Sequence, residues 1–338
     1  MSFIEVAKKG ALAALALPVF CALGVFALAA AMALPDAPII DNLHTDREYF
    51  QYDGPPSFNG RKIDNFTECL GMSIGLPRSG PRETAVEKAV RAPFFTSCGA
   101  LRAHLNAPEE NATPSGDYPQ YWHGQAAIAR LALSIMPYRD FRSIVFNGAL
   151  IVFGLLAYAL YRDFGAKFSF AFLFPFLFIN FASFLILWTK AVTWFIAFGG
   201  AIYIANAPPS RRRRPFFAFF VLGVLTAYFD WLTTPLMTLM LPSLIWAVYS
   251  ASDQADSRGY AALKAFAICA GFWGFGYAGL WIAKFILASV VLGGDTWSLT
   301  FERILFRING QTPSTKPWPG AAILENLEAM KDFLASPP

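Results

Sequence analysis

The sequence is poor in charge. Only 15% of its 338 residues are Asp, Glu, Lys or Arg, whereas a soluble domain carries about a quarter. Hydrophobic residues make up 56% of the chain, and many lie in runs that are apolar all round. Because such runs face lipid rather than water, the composition excludes an ordinary soluble protein and favours a membrane protein.

Two signature motifs of soluble enzymes are also missing, since the chain contains neither a Walker A loop nor a CxxC pair. The GxSxG pattern does occur at Gly71–Gly75 and the GxGxxG pattern at Gly274–Gly279, the latter inside an apolar segment. Its three histidines, His44, His104 and His123, are not spaced as metal ligands. Nucleotide hydrolysis by a Walker A loop therefore finds no support, and the two glycine patterns alone, without a predicted strand before them, do not indicate soluble-enzyme chemistry. The net charge of +4 is concentrated in a few clusters that suit membrane orientation better than nucleic-acid binding.

Cysteine is scarce, with four residues in the chain. Cys21 and Cys269 lie inside apolar segments, where packing is the default role. Cys69 and Cys98 lie in a polar stretch, and a disulfide between them can form if that stretch is outside the cytoplasm. The sequence alone leaves this pairing open.

Seven apolar segments predict seven transmembrane helices. The first, after Lys8 and Lys9, is longer than the hydrophobic region of a signal peptide, so we expect it to be retained. The predicted fold class is an all-α polytopic membrane protein. The spans are residues 11–34, 143–160, 168–187, 191–207, 215–233, 235–250 and 264–292.

Basic residues in the short connections predict the orientation. They form four clusters, which all fall on the cytoplasmic side if seven spans start from a cytoplasmic N-terminus. The clusters are Lys8 with Lys9, Arg162 with Lys167, Arg211–Arg214, and Arg258 with Lys264. The chain then divides into a first transmembrane helix (1–34), an extracytoplasmic loop (35–141), a six-helix transmembrane bundle (142–292) and an extracytoplasmic tail (293–338).

The long first loop is predicted to have structure of its own. Residues 83–94 and 118–136 show the apolar periodicity of amphipathic helices. The second stretch ends at Pro137 and begins near Tyr121 and Trp122, which are residue types that prefer the headgroup region. We therefore expect it to lie along the membrane surface.

Acidic residues follow the first span closely. Asp41, Asp46 and Asp53 would lie at the membrane interface, where apolar surroundings raise the pKa of a carboxyl group and suit a general base. The alternative is a solvated acidic loop, which is the commoner meaning of such a run.

Further ionisable residues lie near the outer ends of the later spans. Asp230 and Lys284 are inside apolar segments, where charge is costly and often functional. An ion pair between them, or snorkelling of Lys284 towards water, is the structural alternative. Arg303 and Arg307 would share one helix face and suit a phosphate clamp, although interfacial anchoring explains them equally well. His123 is a candidate base or hydrogen-bonding residue.

Four short segments resemble a family of bacterial polytopic membrane proteins that tend to accompany surface-glycan genes. They are Tyr121–Gly124, Tyr228–Leu236, Trp273–Phe285 and Ile304–Arg307. The wider layout resembles the GT-C glycosyltransferases. Their shared module has seven spans, a long first outer loop with surface-lying helices, and a catalytic acid soon after span one. GT-C enzymes usually continue into further spans, so we expect either a truncated chain or a partner protein.

The resemblance implies an enzyme of the bacterial cytoplasmic membrane. It would move a sugar from a polyprenyl-phosphate donor to a glycan, lipid or protein acceptor at the outer face. The resemblance names no certain resident cofactor and leaves a divalent metal open. Expected partners are membrane lipid, the lipid-linked sugar, the acceptor and a membrane protein, but not nucleic acid. The implied site comprises Asp46 or Asp41 as the catalytic acid residue, Arg303 and Arg307 for phosphate, and Asp230, His123, Trp122 and Lys284 for substrate binding.

Two other functions fit the same sequence. A transporter or flippase of a glycan intermediate would use Asp230 and Lys284 as coupling charges, although the two halves show no internal repeat. A non-catalytic membrane subunit would bind a partner through its outer loop, and its acidic residues would be solvated surface.

Overall fold

A computed structural model describes most of the chain as helix. The described residues are 3–51, 57–58, 61–62, 65–77, 83–108, 113–178, 185–208, 215–230, 234–253 and 259–293. Their strands are two antiparallel pairs of two residues each, Ser57–Phe58 with Arg61–Lys62 and Pro93–Phe94 with Gly116–Asp117. The predicted helical fold class is therefore confirmed in outline.

Three helices contain stretches that are long and apolar enough to cross a membrane. These stretches are Val6–Met32 in helix α1 (Phe3–Met32), Tyr138–Phe176 in a helix spanning Tyr138–Phe178, and Leu263–Leu292 in one spanning Gly259–Leu292. Trp188–Asn206, Phe216–Phe229 and Met237–Asp253 are shorter helices. The chain is therefore a membrane protein, whereas the count of seven spans stays a prediction.

Between α1 and residue 138, the described residues form five α-helices and a 3₁₀ helix, and we call residues 35–137 the outer domain after the side of the membrane predicted for them. We number all these helices in chain order, together with the long and short helices named above. The helices are α2 (Asp36–Thr45), the 3₁₀ helix (Arg47–Phe50), α3 (Asn65–Ser73), α4 (Ala85–Arg91), α5 (Cys98–Asn106), α6 (Gly124–Leu133), α7 (Tyr138–Phe178), α8 (Trp188–Asn206), α9 (Phe216–Phe229), α10 (Met237–Asp253) and α11 (Gly259–Leu292).

Helix α7 is a hairpin rather than one straight rod. Its backbone breaks at Gly165, with φ 79° and ψ 175°, a conformation that only glycine adopts readily. The Ser169 hydroxyl donates a hydrogen bond to the Ala157 carbonyl at 3.2 Å, and the rings of Phe153 and Phe176 are 5.3 Å apart. Residues this far apart in sequence meet only if the two arms fold back on each other. The break lies between the predicted second and third spans.

Glycines bring α9 and α11 into close contact. A Cβ atom at Gly223 would lie 2.0 Å from the Trp273 carbonyl oxygen, and one at Gly276 would lie 2.3 Å from the Phe220 carbonyl oxygen. Small residues allow this backbone approach, which is a common way for helices to associate in membranes.

A disulfide between Cys69 and Cys98 joins α3 to α5 in the outer domain. The sequence left this bond open, and the structure forms it with both residues buried. Disulfides persist in oxidising compartments, which is the setting that the predicted extracytoplasmic location would provide; that location stays a prediction.

The two amphipathic helices predicted in the loop are present but shorter. Thr84 and Glu87 form a capping box at the start of α4, and Ala92, with φ 51°, ends it after Arg91. Helix α6 begins at Gly124 rather than at residue 118, because His123 has φ 56° and cannot continue a helix. Two apolar residues of the predicted stretch are exposed, Leu131 in α6 at 60% and Ile135 just beyond it at 72%, and their contact with the membrane surface stays a prediction.

Candidate functional site

The Asp46 carboxylate lies at the start of α7. It is 2% exposed, and its Oδ2 accepts the backbone N–H of Arg139 at 2.7 Å. The first amides of a helix have no partner within the helix, and a carboxylate there also meets the positive end of the helix dipole. Asp46 therefore caps α7. Asp41, one turn earlier on α2, is exposed to solvent.

Glu68 on α3 is a buried acid that the sequence analysis missed. Its Oε1 accepts hydrogen bonds from the backbone N–H and the hydroxyl of Thr189, at 3.2 and 2.7 Å, and its Oε2 accepts the Tyr138 hydroxyl at 2.7 Å. Burial raises the pKa of the Glu68 carboxyl, while these hydrogen bonds oppose that rise. Glu68 thus caps α8, and the only sequence signal for it is one acid in an otherwise uncharged helix.

Arg130 on α6 satisfies the end of α1. Its guanidinium donates to the carbonyl oxygens of Ala31 at 2.9 Å, Gly75 at 2.9 Å and Leu34 at 3.2 Å, and to Asp36 Oδ1 at 2.6 Å. Arg130 is 2% exposed, so these contacts replace the water that its charge loses on burial. The outer domain is therefore fixed to the outer end of the first membrane helix.

Lys284 on α11 plays the matching role for α4. Its Nζ donates to the carbonyl oxygens of Val90 at 2.9 Å and Ala89 at 3.3 Å, and it lies 5.6 Å from the centre of a Trp122 ring. These carbonyls form the negative end of the α4 dipole. Lys284 is 1% exposed, so it does not snorkel, and no carboxylate of the described residues forms an ion pair with it.

Trp122 and His123 connect this end of α11 to the outer domain. Trp122 is fully buried, and its Nε1 donates to the Leu280 carbonyl at 2.7 Å. His123 Nε2 donates to the Tyr118 carbonyl at 2.7 Å. Burial lowers the pKa of His123 to about 3, so the imidazole is neutral at physiological pH.

Asp230 lies at the end of α9 and is 3% exposed. Its Oδ1 accepts the Thr193 hydroxyl at 3.1 Å and lies 3.4 Å from the Thr234 amide nitrogen. The carboxylate therefore bonds to α8 and to the segment that leads into α10. The Asp230 carboxylate thus has hydrogen-bond partners at the end of an apolar helix. The sequence predicts that an acid in such a position is either functional or paired.

The predicted site residues fall into separate groups. Trp122, His123 and Lys284 come together, while Asp230 is held by α8 and Asp46 by α7. Arg303 and Arg307 lie outside the described residues. An apolar groove of about 960 Å³ lies beside α8 and α9. None of the six predicted site residues that the structure describes lines this groove, so it is not a cavity that they share.

A metal centre is not evident in the described part of the chain, which contains no cluster of three or more His, Cys, Asp or Glu side chains placed to bind an ion. Asp53, another predicted acid, lies outside the described residues; of Asp41, Asp46 and Asp230, exposed Asp41 is the one whose carboxylate is accessible to an ion or a substrate. No protein family matches the chain, and neither a curated protein nor a solved structure is significantly similar to it.

Proposed function

We propose that the chain is a GT-C-like glycosyltransferase of the bacterial cytoplasmic membrane, which moves a sugar from a polyprenyl-phosphate donor at the outer face. The observation that carries this proposal is the position of Asp41. Helix α2 begins at Asp36, four residues after α1 ends at Met32, and it presents the Asp41 carboxylate to solvent. A general base must reach the acceptor hydroxyl, and an exposed carboxylate at the membrane interface has that access.

The role of base falls to Asp41 rather than Asp46. The Asp46 carboxylate already accepts the Arg139 amide and is almost fully buried. Asp41 would take the proton of the acceptor hydroxyl. The oxygen of that hydroxyl would bond to the anomeric carbon of the sugar, while the bond from this carbon to the donor phosphate oxygen breaks. The leaving polyprenyl phosphate would carry the negative charge away, and Arg303 and Arg307 are the proposed contacts for it.

The contacts that hold the outer domain support this role. The Cys69–Cys98 disulfide braces it internally, and the buried charges of Asp46, Glu68, Arg130 and Lys284 fix it to the membrane helices. A catalytic group held on such a platform keeps a defined distance from the bilayer surface where the donor phosphate lies. Trp122, His123 and Lys284 act as positioning residues in this scheme, and Asp230 is a candidate contact for the sugar.

Sugar transfer in sealed right-side-out vesicles tests the proposal. The vesicles would receive labelled polyprenyl-phosphate hexoses, and incorporation of label into other membrane or glycan material would be measured. Asp41→Asn should lower the rate by on the order of 10²-fold or more, since loss of a general base has effects of this size. Glu48→Gln, an exposed acid on the neighbouring 3₁₀ helix, is the control and should retain transfer. Full transfer by Asp41→Asn would refute the assignment.

A non-catalytic subunit is the second candidate. Four buried charged side chains act as helix caps, which is a structural use of the residue types that an enzyme would place in its site. No transfer by the wild-type chain, together with co-purification of a stoichiometric membrane partner, would favour this second function.

A further inference from the structure

The apolar groove has one charged end. Its long walls are α8 and α9, and Phe141 and Val145 of α7 add to it. Of the described residues that line it, Lys9 alone carries a charge, and Tyr203 is the other polar side chain. Lys9 lies near the start of α1, and Tyr203 lies near the end of α8. Both therefore lie away from the outer domain, whereas the opposite end of the groove is marked by Ile128 of α6.

The groove has the length of one lipid leaflet. Its lining on α9 runs from Phe217 to Phe229, which is about 18 Å of helix at 1.5 Å per residue. The hydrocarbon core of a bilayer is about 30 Å thick, so an acyl chain of one leaflet extends about 15 Å. An amphiphile with its head at Lys9 would thus place its chains along the apolar walls.

The floor of the groove is open at Gly199. A Cβ atom at Gly199 would meet nothing within 4 Å, although neighbouring Gly200 packs tightly against Leu222 and Pro242. The space beside Gly199 is therefore not filled by the protein's own atoms.

We propose that this groove binds an anionic glycerophospholipid of the cytoplasmic leaflet, with its phosphate at Lys9 and an acyl chain along α8 and α9. The positive charge at one end and the apolar length beyond it match this amphiphile. The polyprenyl-phosphate donor fits less well, because its phosphate would be needed at the outer face, whereas Lys9 lies at the far end of α1. The choice against the polyprenyl phosphate rests on the proposed function, whereas the lipid site itself takes no part in the transfer reaction.

Lipid binding by the purified full-length chain tests this proposal. Delipidated protein would be titrated with phosphatidylglycerol, phosphatidylcholine or a polyprenyl phosphate, and bound lipid would be counted by native mass spectrometry. Lys9→Gln should weaken phosphatidylglycerol binding about fivefold, as expected for one basic residue near an anionic headgroup, and should leave phosphatidylcholine binding unchanged. Lys8→Gln is the matched control, because the neighbouring Lys8 is exposed and does not line the groove.

A second pair of variants tests the acyl-chain path. Gly199→Leu should fill the groove and remove phosphatidylglycerol binding, whereas Gly154→Leu should not. Gly154 is also a mid-helix glycine with open space around it, so the two changes have similar effects on helix stability. Wild-type binding by both Lys9→Gln and Gly199→Leu would overturn the proposal. Preferential binding of the polyprenyl phosphate, unaffected by Lys9→Gln, would assign the groove to the donor instead and would also overturn it.

Discussion

Removal of the Cys69–Cys98 disulfide is expected to destabilise the outer domain by several kcal/mol. The bond closes a loop with a sequence separation of 29 residues. The chain-entropy relation for a loop of this length gives about 3.6 kcal/mol at 25 °C. A small domain has a free energy of unfolding of only about 5–15 kcal/mol, so this loss is a large share of the total.

The perturbation is the double variant Cys69→Ala with Cys98→Ala in the full-length chain, reconstituted in lipid nanodiscs. Pulse proteolysis across a urea series would report the fraction of molecules cut within residues 35–137. We expect the urea midpoint of this cleavage to fall clearly, while the membrane helices stay protected. Cys21→Ala is the control, because Cys21 is a free thiol of α1 and closes no loop.

Two results would refute this reasoning. One is a cleavage midpoint equal to that of the wild-type chain. The other is alkylation of Cys69 and Cys98 in unreduced wild-type protein, which would show that the bond is not formed in the cell.

The remaining predictions concern other buried contacts of the outer domain. Glu68→Ala should lower the free energy of unfolding by about 1–3 kcal/mol, because it leaves the Tyr138 hydroxyl and the Thr189 amide without their acceptor. The control variant Glu68→Gln should retain most of the stability. Equal urea midpoints for the two variants would contradict the capping role. Acidification should also destabilise the protein. The pKa of His123 is lowered from 6.5 to about 3 in the folded chain, so only the unfolded chain takes up this proton between those values, and stability falls by up to about 1.4 kcal/mol per pH unit below 6.5. His123→Asn should flatten that part of the stability–pH curve, and an unchanged slope would show that His123 is not its source. Gly124→Ala should destabilise the domain by about 1–3 kcal/mol, since the new Cβ would lie 2.2 Å from ring carbons of Tyr228, while Gly99→Ala has room and should be neutral in the same unfolding assay.

The membrane class of the protein could be predicted because it depends on local composition. A long apolar run needs lipid wherever the rest of the chain lies. The apolar runs that form most of α1 and α11 could be predicted for this reason. The turn between the arms of α7 was also predicted, since Arg162 and Lys167 interrupt the apolar pattern on either side of Gly165.

The partners of the buried charges could not be predicted, because they depend on contacts between distant parts of the chain. Asp46 bonds to an amide 93 residues away, Glu68 to Thr189 at a separation of 121, and Lys284 to Val90 at 194. The sequence identifies an acid or a lysine in an apolar setting but does not show whether a helix end or a substrate meets it. For this reason Asp46 was predicted as a base, and Glu68 was not noticed.

The helix limits in the outer domain were missed for a different reason. The apolar periodicity of residues 118–136 continues through a segment whose backbone is not helical, because His123 adopts a positive φ and Gly124 packs against Tyr228. Periodicity records which side chains share a face, but it does not record where tertiary packing turns the chain.

Site-specific labelling of the two sides of the membrane tests the central claim most directly, namely that the outer domain is extracytoplasmic. Single substitutions Glu48→Cys in the outer domain and Lys167→Cys beside the α7 break both lie at exposed positions. Intact spheroplasts would be treated with a membrane-impermeant maleimide, with the wild-type chain as background. We predict labelling of Glu48→Cys in intact cells and of Lys167→Cys only after lysis. Labelling of Lys167→Cys alone in intact cells, or of both, would contradict the account.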